Sequence, residues 1–169
     1  MIIRATKKLL NTSGINPVKN LADPNKSMPG EWYASTISLQ QPGKLAIHFL
    51  HYPTFVSILI PGKSINKVIL LLRHRATALL NRLGYADLIP RFQLDTKPEI
   101  FATNSRSILG HINQVKFNIE YHIALAETID SIDYDRIEDI HFDMIFTDKL
   151  SPGGYITPKR VLDNLIIKK

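Results

Sequence analysis

The stretch that most constrains the fold runs from Glu99 to Ala126. Glu99-Ile-Phe-Ala-Thr103 is short, apolar and β-branched at its end, the pattern of a buried strand. Beyond it, Ile108, Ile112, Val115, Ile119, His122 or Ile123, and Ala126 recur at gaps of three and four, which lays one apolar stripe along a helix. Asn104 and Ser105 stand where that helix needs an N-cap. A strand that feeds a helix of about six turns, at 3.6 residues per turn, must bury both against further elements. The unit therefore points to a mixed α and β fold with this helix spanning the core.

The remaining elements supply the layers. Trp32 to Leu39, Leu45 to Leu50 and Phe55 to Ile60 read as strands, joined at Pro42-Gly43 and at His51-Tyr-Pro53-Thr54. Short connections make them an antiparallel meander. Ile2 to Thr6 reads as another short strand and Lys7 to Leu10 as a helical turn. Residues 11–30, with Gly14, Pro17, Pro24 and Pro29, read as a loop. Lys67 to Leu83 reads as a helix capped by Ser64, with Val68, Leu71, Leu72, Ala78, Leu79 and Leu83 buried and Gly84 as its stop. Tyr85 to Phe92 reads as a short helical segment. Asp130 to Phe146 reads as an amphipathic helix carrying Ile132, Ile137, Ile140, Met144 and Ile145. Ser151 to Gly154 is a turn, and Pro158 opens the last helix behind Thr157. Strands gather before residue 62 and helices follow. The expected class is α+β: one domain over residues 1–169, an antiparallel sheet of about four to five strands packed by helices on one side.

Composition excludes several classes of function. A chain of 169 residues with 44% hydrophobic and 21% charged residues can bury a core. It has no cysteine, so disulfides and thiolate metal sites are absent. The N-terminus lacks a signal-peptide h-region, and no run approaches the roughly 20 apolar residues of a spanning helix. The expected location is cytoplasmic, with no membrane partner. Charge is unevenly placed within a net +6: residues 1–118 hold 15 Lys and Arg against 5 Asp and Glu, and residues 119–150 hold 2 against 9. Either the basic body meets an anion such as nucleic acid, or the acidic segment folds against the basic surface and neutralises it.

Four motifs carry a resemblance: the opening Met1-Ile-Ile-Arg-Ala-Thr-Lys-Lys-Leu-Leu10, Glu31-Trp-Tyr-Ala34, Leu59-Ile-Pro-Gly62, and Thr103-Asn-Ser-Arg-Ser-Ile-Leu-Gly110. In these the chain resembles an uncharacterised bacterial family defined only as a domain of unknown function. The resemblance implies a cytosolic bacterial or plasmid-type protein and implies no activity.

Motifs that carry chemistry are sparse. Ser57-Ile-Leu-Ile-Pro-Gly62-Lys63-Ser64 approaches a P-loop, but Ser57 replaces the first glycine and Pro61 offers no N–H. Glu138-Asp-Ile-His141 has the Glu-x-x-His spacing of di-iron bundles without the second pair those sites need. His111 and His122 are too far apart to ligate one metal. No metal and no cofactor is expected. Arg73, Arg75, Arg82 and Arg91 are the candidate contacts to a nucleic-acid backbone. Asn104, Ser105, Arg106 and Ser107, with Lys7 and Lys8, are the candidate anion-binding set, since a helix N-terminus leaves N–H groups unpaired. The alternative for that junction is a plain helix cap whose Arg106 pairs with an internal carboxylate. The reading favours a non-enzymatic binding or interaction module with an anionic partner. The alternative is an enzyme acting on a phosphorylated or carboxylated small molecule, with its anion site at Asn104–Ser107.

Overall fold

The computed structural model describes residues 1–19, 30–148 and 153–167. Half of the expected 11–30 loop, residues 20–29, and the first half of the Ser151–Gly154 turn lie outside the described residues. The elements are β1 (Ile2–Ala5), α1 (Lys7–Ser13), β2 (Glu31–Ser38), β3 (Leu45–Tyr52), β4 (Ser57–Pro61) and α2 (Ile65–Arg82). A 3-10 segment (Ala86–Phe92), β5 (Glu99–Ala102) and α3 (Arg106–Ala124) follow. The chain continues through a 3-10 turn (Ile129–Ser131), α4 (Tyr134–Phe142), the small hairpin β6 (Phe146–Thr147) and β7 (Tyr155–Ile156), and α5 (Pro158–Ile167).

The fold is α+β, but its main sheet is mixed, where an antiparallel one was expected. Its order is β4-β3-β2-β1-β5, and β6 pairs with β7 apart from it. The meander β2-β3-β4 is antiparallel as expected, with Trp32 opposite His51 and His48 opposite Leu59. β1 lies between β2 and β5 and runs parallel to both, Ile3 facing Trp32 on one side and Ile100 on the other. Parallel neighbours need crossovers. The first is α1 with the segment after it. The second is α2 with the 3-10 segment, which leads from the β4 edge to the β5 edge. The Glu99–Ala126 unit is thus peripheral: β5 is an edge strand, and α3 covers one face.

Helices cover both faces, where one was expected. Ile3, Trp32, Ala34, Phe49 and Ile58 pack on α1, α2, the 3-10 segment and Leu162 of α5. Tyr33, Ile37, Ala46, Leu50 and Leu59 pack on α3, Ile137 of α4 and Phe146. The reason is the burial of β2, β3 and β4: residues of both alternating sets are inaccessible, so each face requires a lid. α4 stands beside the β4 edge, with Ile137 in one core and Phe142 in the other.

Helix details follow local chemistry. The α3 stripe is buried as expected at Ile108, Ile112, Val115, Ile119 and Ile123, and Ser105 Oγ accepts from the Ile108 N–H at 3.4 Å. In α2 the buried row is Ile65, Val68, Leu72, Ala76, Leu79 and Leu80, while Leu71 is exposed. Ser64 is the N-cap residue of α2 but makes no side-chain cap bond. Ser13 at the end of α1 supplies the hydroxyl, accepting from the Ile65 N–H at 3.2 Å. α4 is shorter than the expected 130–146 helix because Asp133 caps it at Arg136 N–H and the helix ends before Asp143.

Two glycines differ in why they are needed. Gly62 joins β4 to α2 at φ +148, and a Cβ there would lie 2.6 Å from Val68 Cγ1. Gly84 follows α2 at φ +84 with open space around it. Gly84→Ala is expected to lower stability by about 1 kcal/mol from backbone strain alone. Gly62→Ala, with strain and a buried clash, is expected to cost at least twice as much. Urea unfolding midpoints compare them directly, and equal losses would contradict this account.

Candidate functional site

β1 and β5 run side by side and end together. Ala5 pairs with Ala102, and Thr103 N–H donates to Ala5 O at 3.0 Å. From that end α1 turns onto one face of the sheet and α3 onto the other. In sheets with parallel strands, such a divergence at the strand C-termini opens a crevice, the usual place for a ligand. Lys7 and Lys8 leave from the same end as Asn104, Ser105, Arg106 and Ser107, all on elements adjoining the paired strands.

The floor beside this end is a buried ion pair. Arg4 on β1 and Glu31 on β2 are 2% and 1% exposed, and they meet in fork geometry: Nε to Oε2 at 2.6 Å and Nη2 to Oε1 at 3.1 Å. Arg4 Nη1 also donates to Asn104 Oδ1 at 3.2 Å, and the guanidinium lies 5.9 Å from the Phe101 ring centre. Tyr33 Oη donates to Glu31 Oε2 at 3.2 Å. Burial first, and then the Glu31 charge, push the Tyr33 phenol well above its ordinary range, so it stays a neutral donor.

Beside the pair lies a cavity of about 460 Å³. Its polar lining is Arg4, Asn16, Lys19 and Asn104; Pro17, Val18, Phe101 and Ala102 supply apolar wall. Val18 N–H donates to Ile100 O at 2.9 Å, so residues 16–19 lie along the open side of β5 and close the cavity there. Of the anion candidates, Asn104 alone lines the cavity. Ser105 is the α3 cap, and Arg106, Ser107, Lys7 and Lys8 are exposed and do not line it. Arg106 has no ion-pair partner among the described residues. The arginine held by an internal carboxylate is instead Arg4, which sequence reasoning passed over. Its signal was a charge inside the four-residue apolar strand Ile2-Ile-Arg-Ala5.

Three of the four arginines considered for nucleic acid have partners within the molecule. Arg75 Nη2 reaches Asp135 at 2.7 Å and Glu138 at 2.9 Å, and Arg82 Nη2 reaches Asp139 at 2.8 Å. Arg73 Nε donates to Leu94 O at 2.8 Å, and Arg91 is exposed on the 3-10 segment. The acidic α4 is therefore laid against the basic face of α2. Glu138, 2% exposed, also accepts from the Leu59 N–H at 2.9 Å, on the side of β4 away from β3. Burial pushes the Glu138 carboxyl up to about 7, against the opposing pull of Arg75.

The Glu-x-x-His pair of α4 forms no metal cluster among the described residues. His141 is bonded to Asn118 Oδ1 at 2.8 Å, and His48 Nε2 to Ser57 Oγ at 2.6 Å. Burial lowers both imidazoles, His48 to about 3 and His141 to about 4, so both are neutral at pH 7. His111 packs edge-on against Phe55 and Phe146.

Two expectations follow. Glu31→Leu strands the Arg4 charge in the sheet and is expected to cost about 3–5 kcal/mol in urea unfolding. Arg4→Met with Glu31→Leu is expected to recover much of that; a double variant less stable than Glu31→Leu would contradict the pairing. The histidines set an acid limb. Folded His48 and His141 bind fewer protons than the unfolded chain below its ordinary pKa of 6.5, so their contribution is present above pH 6.5 and lost as pH falls toward 4. Glu138 acts oppositely, its contribution lost as pH rises from 4.5 to about 7. His141→Gln is expected to flatten the acid limb, read as the urea midpoint against pH. An unchanged slope would remove His141 from it.

Known proteins add a family to this geometry. No curated protein matches the chain. The model of one family, DUF6933, a domain of unknown function, matches residues 2–161, so it takes in the Arg4–Glu31 pair, the cavity lining and α4. That match spans nearly the whole sequence, and the chain belongs to the DUF6933 family.

Proposed function

We propose that this chain is a binding module that takes a small ligand with an anionic end and an apolar body into the cavity beside β5. One observation carries the reading: a cavity of about 460 Å³ combines apolar lining with donor groups at Asn16, Lys19 and Asn104. That volume lies within the range of small-molecule sites, which pair apolar lining with a few placed polar groups. Lys19 supplies net positive charge, because Arg4 is already matched by Glu31. Phe101, Val18 and Pro17 suit a ring or a short aliphatic chain.

The lining favours binding over catalysis. Among the described residues it holds no Asp, Glu, His, Ser or Tyr to serve as acid, base or nucleophile. A nucleic-acid partner is less favoured, because Arg75 and Arg82 spend their charge on Asp135, Glu138 and Asp139. Phosphate-backbone binding needs several cations free to release counterions.

Calorimetric titration with a panel of aryl and alkyl carboxylates and phosphate monoesters tests the proposal. Wild type is expected to bind at least one class, Lys19→Glu to weaken it about tenfold, and Ala102→Trp, which fills the cavity from an exposed strand end, to abolish it with unfolding unchanged. Binding that survives Ala102→Trp, or no binding across the panel, would overturn it.

A further inference from the structure

The side-chain amide of Asn104 can face either way on chemical grounds, and Arg4 decides which. A guanidinium carries donors and no acceptor, so it holds a neighbouring amide with the oxygen toward itself. Asn104 Oδ1 accepts from Arg4 Nη1 at 3.2 Å. Arg4 has little room to yield: it is 2% exposed, and Glu31 holds its Nε at 2.6 Å and its Nη2 at 3.1 Å. Tyr33 Oη donates to Glu31 in turn. A reversed amide would set donor against donor. Asn104 is exposed and lines the cavity, so the polar group it has left for a ligand is its Nδ2 donor pair.

The buried pair therefore shapes the cavity without lending it net charge. Among the described lining residues, Lys19 is the formal cation that Glu31 does not match, and its ammonium also only donates. Lys7, Lys8 and Arg106 are exposed and do not line the cavity. A donor amide and one cation suit a group that only accepts and carries one negative charge. A carboxylate has that form, with two acceptor oxygens and a single charge. A phosphate monoester carries close to two charges at neutral pH. Its second charge would meet no further cation in the described lining, and Glu31 behind Arg4 would repel it. On the reading of the cavity as a ligand site, we propose that Asn104, turned by Arg4 so that it can only donate, selects a monocarboxylate with an apolar tail.

The test is calorimetric titration of the full chain with benzoate, hexanoate, phenyl phosphate and hexyl phosphate, at about pH 8, where a phosphate monoester is dianionic. Wild type is expected to bind at least one carboxylate more tightly than the phosphate with the same tail. Asn104→Asp keeps the shape of the side chain and an acceptor toward Arg4, but sets a negative charge against the ligand. It is expected to weaken that carboxylate about tenfold or more, with a urea midpoint no lower than wild type. The side-chain amide signal that Asn104→Asp removes from the wild-type nitrogen–proton correlation spectrum is expected to shift as the carboxylate is added. A smaller loss of affinity in Asn104→Asp, an unmoved amide signal, a lowered urea midpoint, or a phosphate bound as tightly as its carboxylate would each overturn the role of Asn104 and leave the cavity standing as a ligand site. A wild type that binds none of the probes overturns both.

Discussion

A charge buried inside a sheet has to be matched where it lies, and Arg4 is matched by Glu31. The pair ties β1 to β2, two strands joined through a long connection. Strand side chains alternate with a period of two, so a one-residue slip of β1 would drive Arg4 into the apolar face that holds Ile3 and Ala5. That penalty fixes the parallel register on which β5 then builds. A hydrophobic pair of similar volume could serve stability as well. The ion pair adds selectivity for one register and leaves polar groups at the end of the sheet, where Asn104 reads them.

The acidic segment of the chain acts on surfaces the sheet leaves unfinished. β4 ends the sheet on one side, and its outward Leu59 N–H is taken by Glu138. The carboxylate also receives Arg75, so one buried residue joins α4 to a strand and to α2. On the other side, residues 16–19 lie along β5 through Val18. Both margins of the sheet are covered by segments from outside the meander. The uneven charge of the sequence is a record of this, since the acidic stretch and the basic helix are partners inside one molecule.

What was legible in the sequence was local. The α3 stripe, its Ser105 cap, the three-strand meander and Pro158 at the head of α5 follow from spacing and capping chemistry, and all are present. What was not legible depended on contacts between distant residues. No local pattern says that Ile2–Ala5 inserts between two strands and runs parallel to both. Covering helices on both faces leave β3 apolar at nearly every position, and a short continuous run of that kind resembles an alternating one with a few apolar exceptions. In α4 the buried face includes Glu138 and His141, residues that composition assigns to solvent until Arg75 and Asn118 are brought to them. The candidate site divided in the same way. Asn104 was found from the cap position, while Arg4 and Glu31, 27 residues apart, became a pair only through strand register.

The cover over β4 has a consequence for how the chain can safely be made or cut. Ser57-Ile-Leu-Ile is apolar and uncharged, so its outward N–H and C=O groups are open to another strand wherever nothing covers them, with its shortness and Pro61 the chain's own restraint on such pairing. The sheet is complete once β5 has formed, yet its β4 margin stays open until α4 arrives. During synthesis there is therefore an interval in which a finished sheet presents a bare, aggregation-prone edge. A fragment ending within α3 would hold that state permanently, with the outward Leu59 N–H left without its Glu138 partner. The short acidic helix near the end of the chain thus works as a built-in guard against self-assembly through the wrong surface.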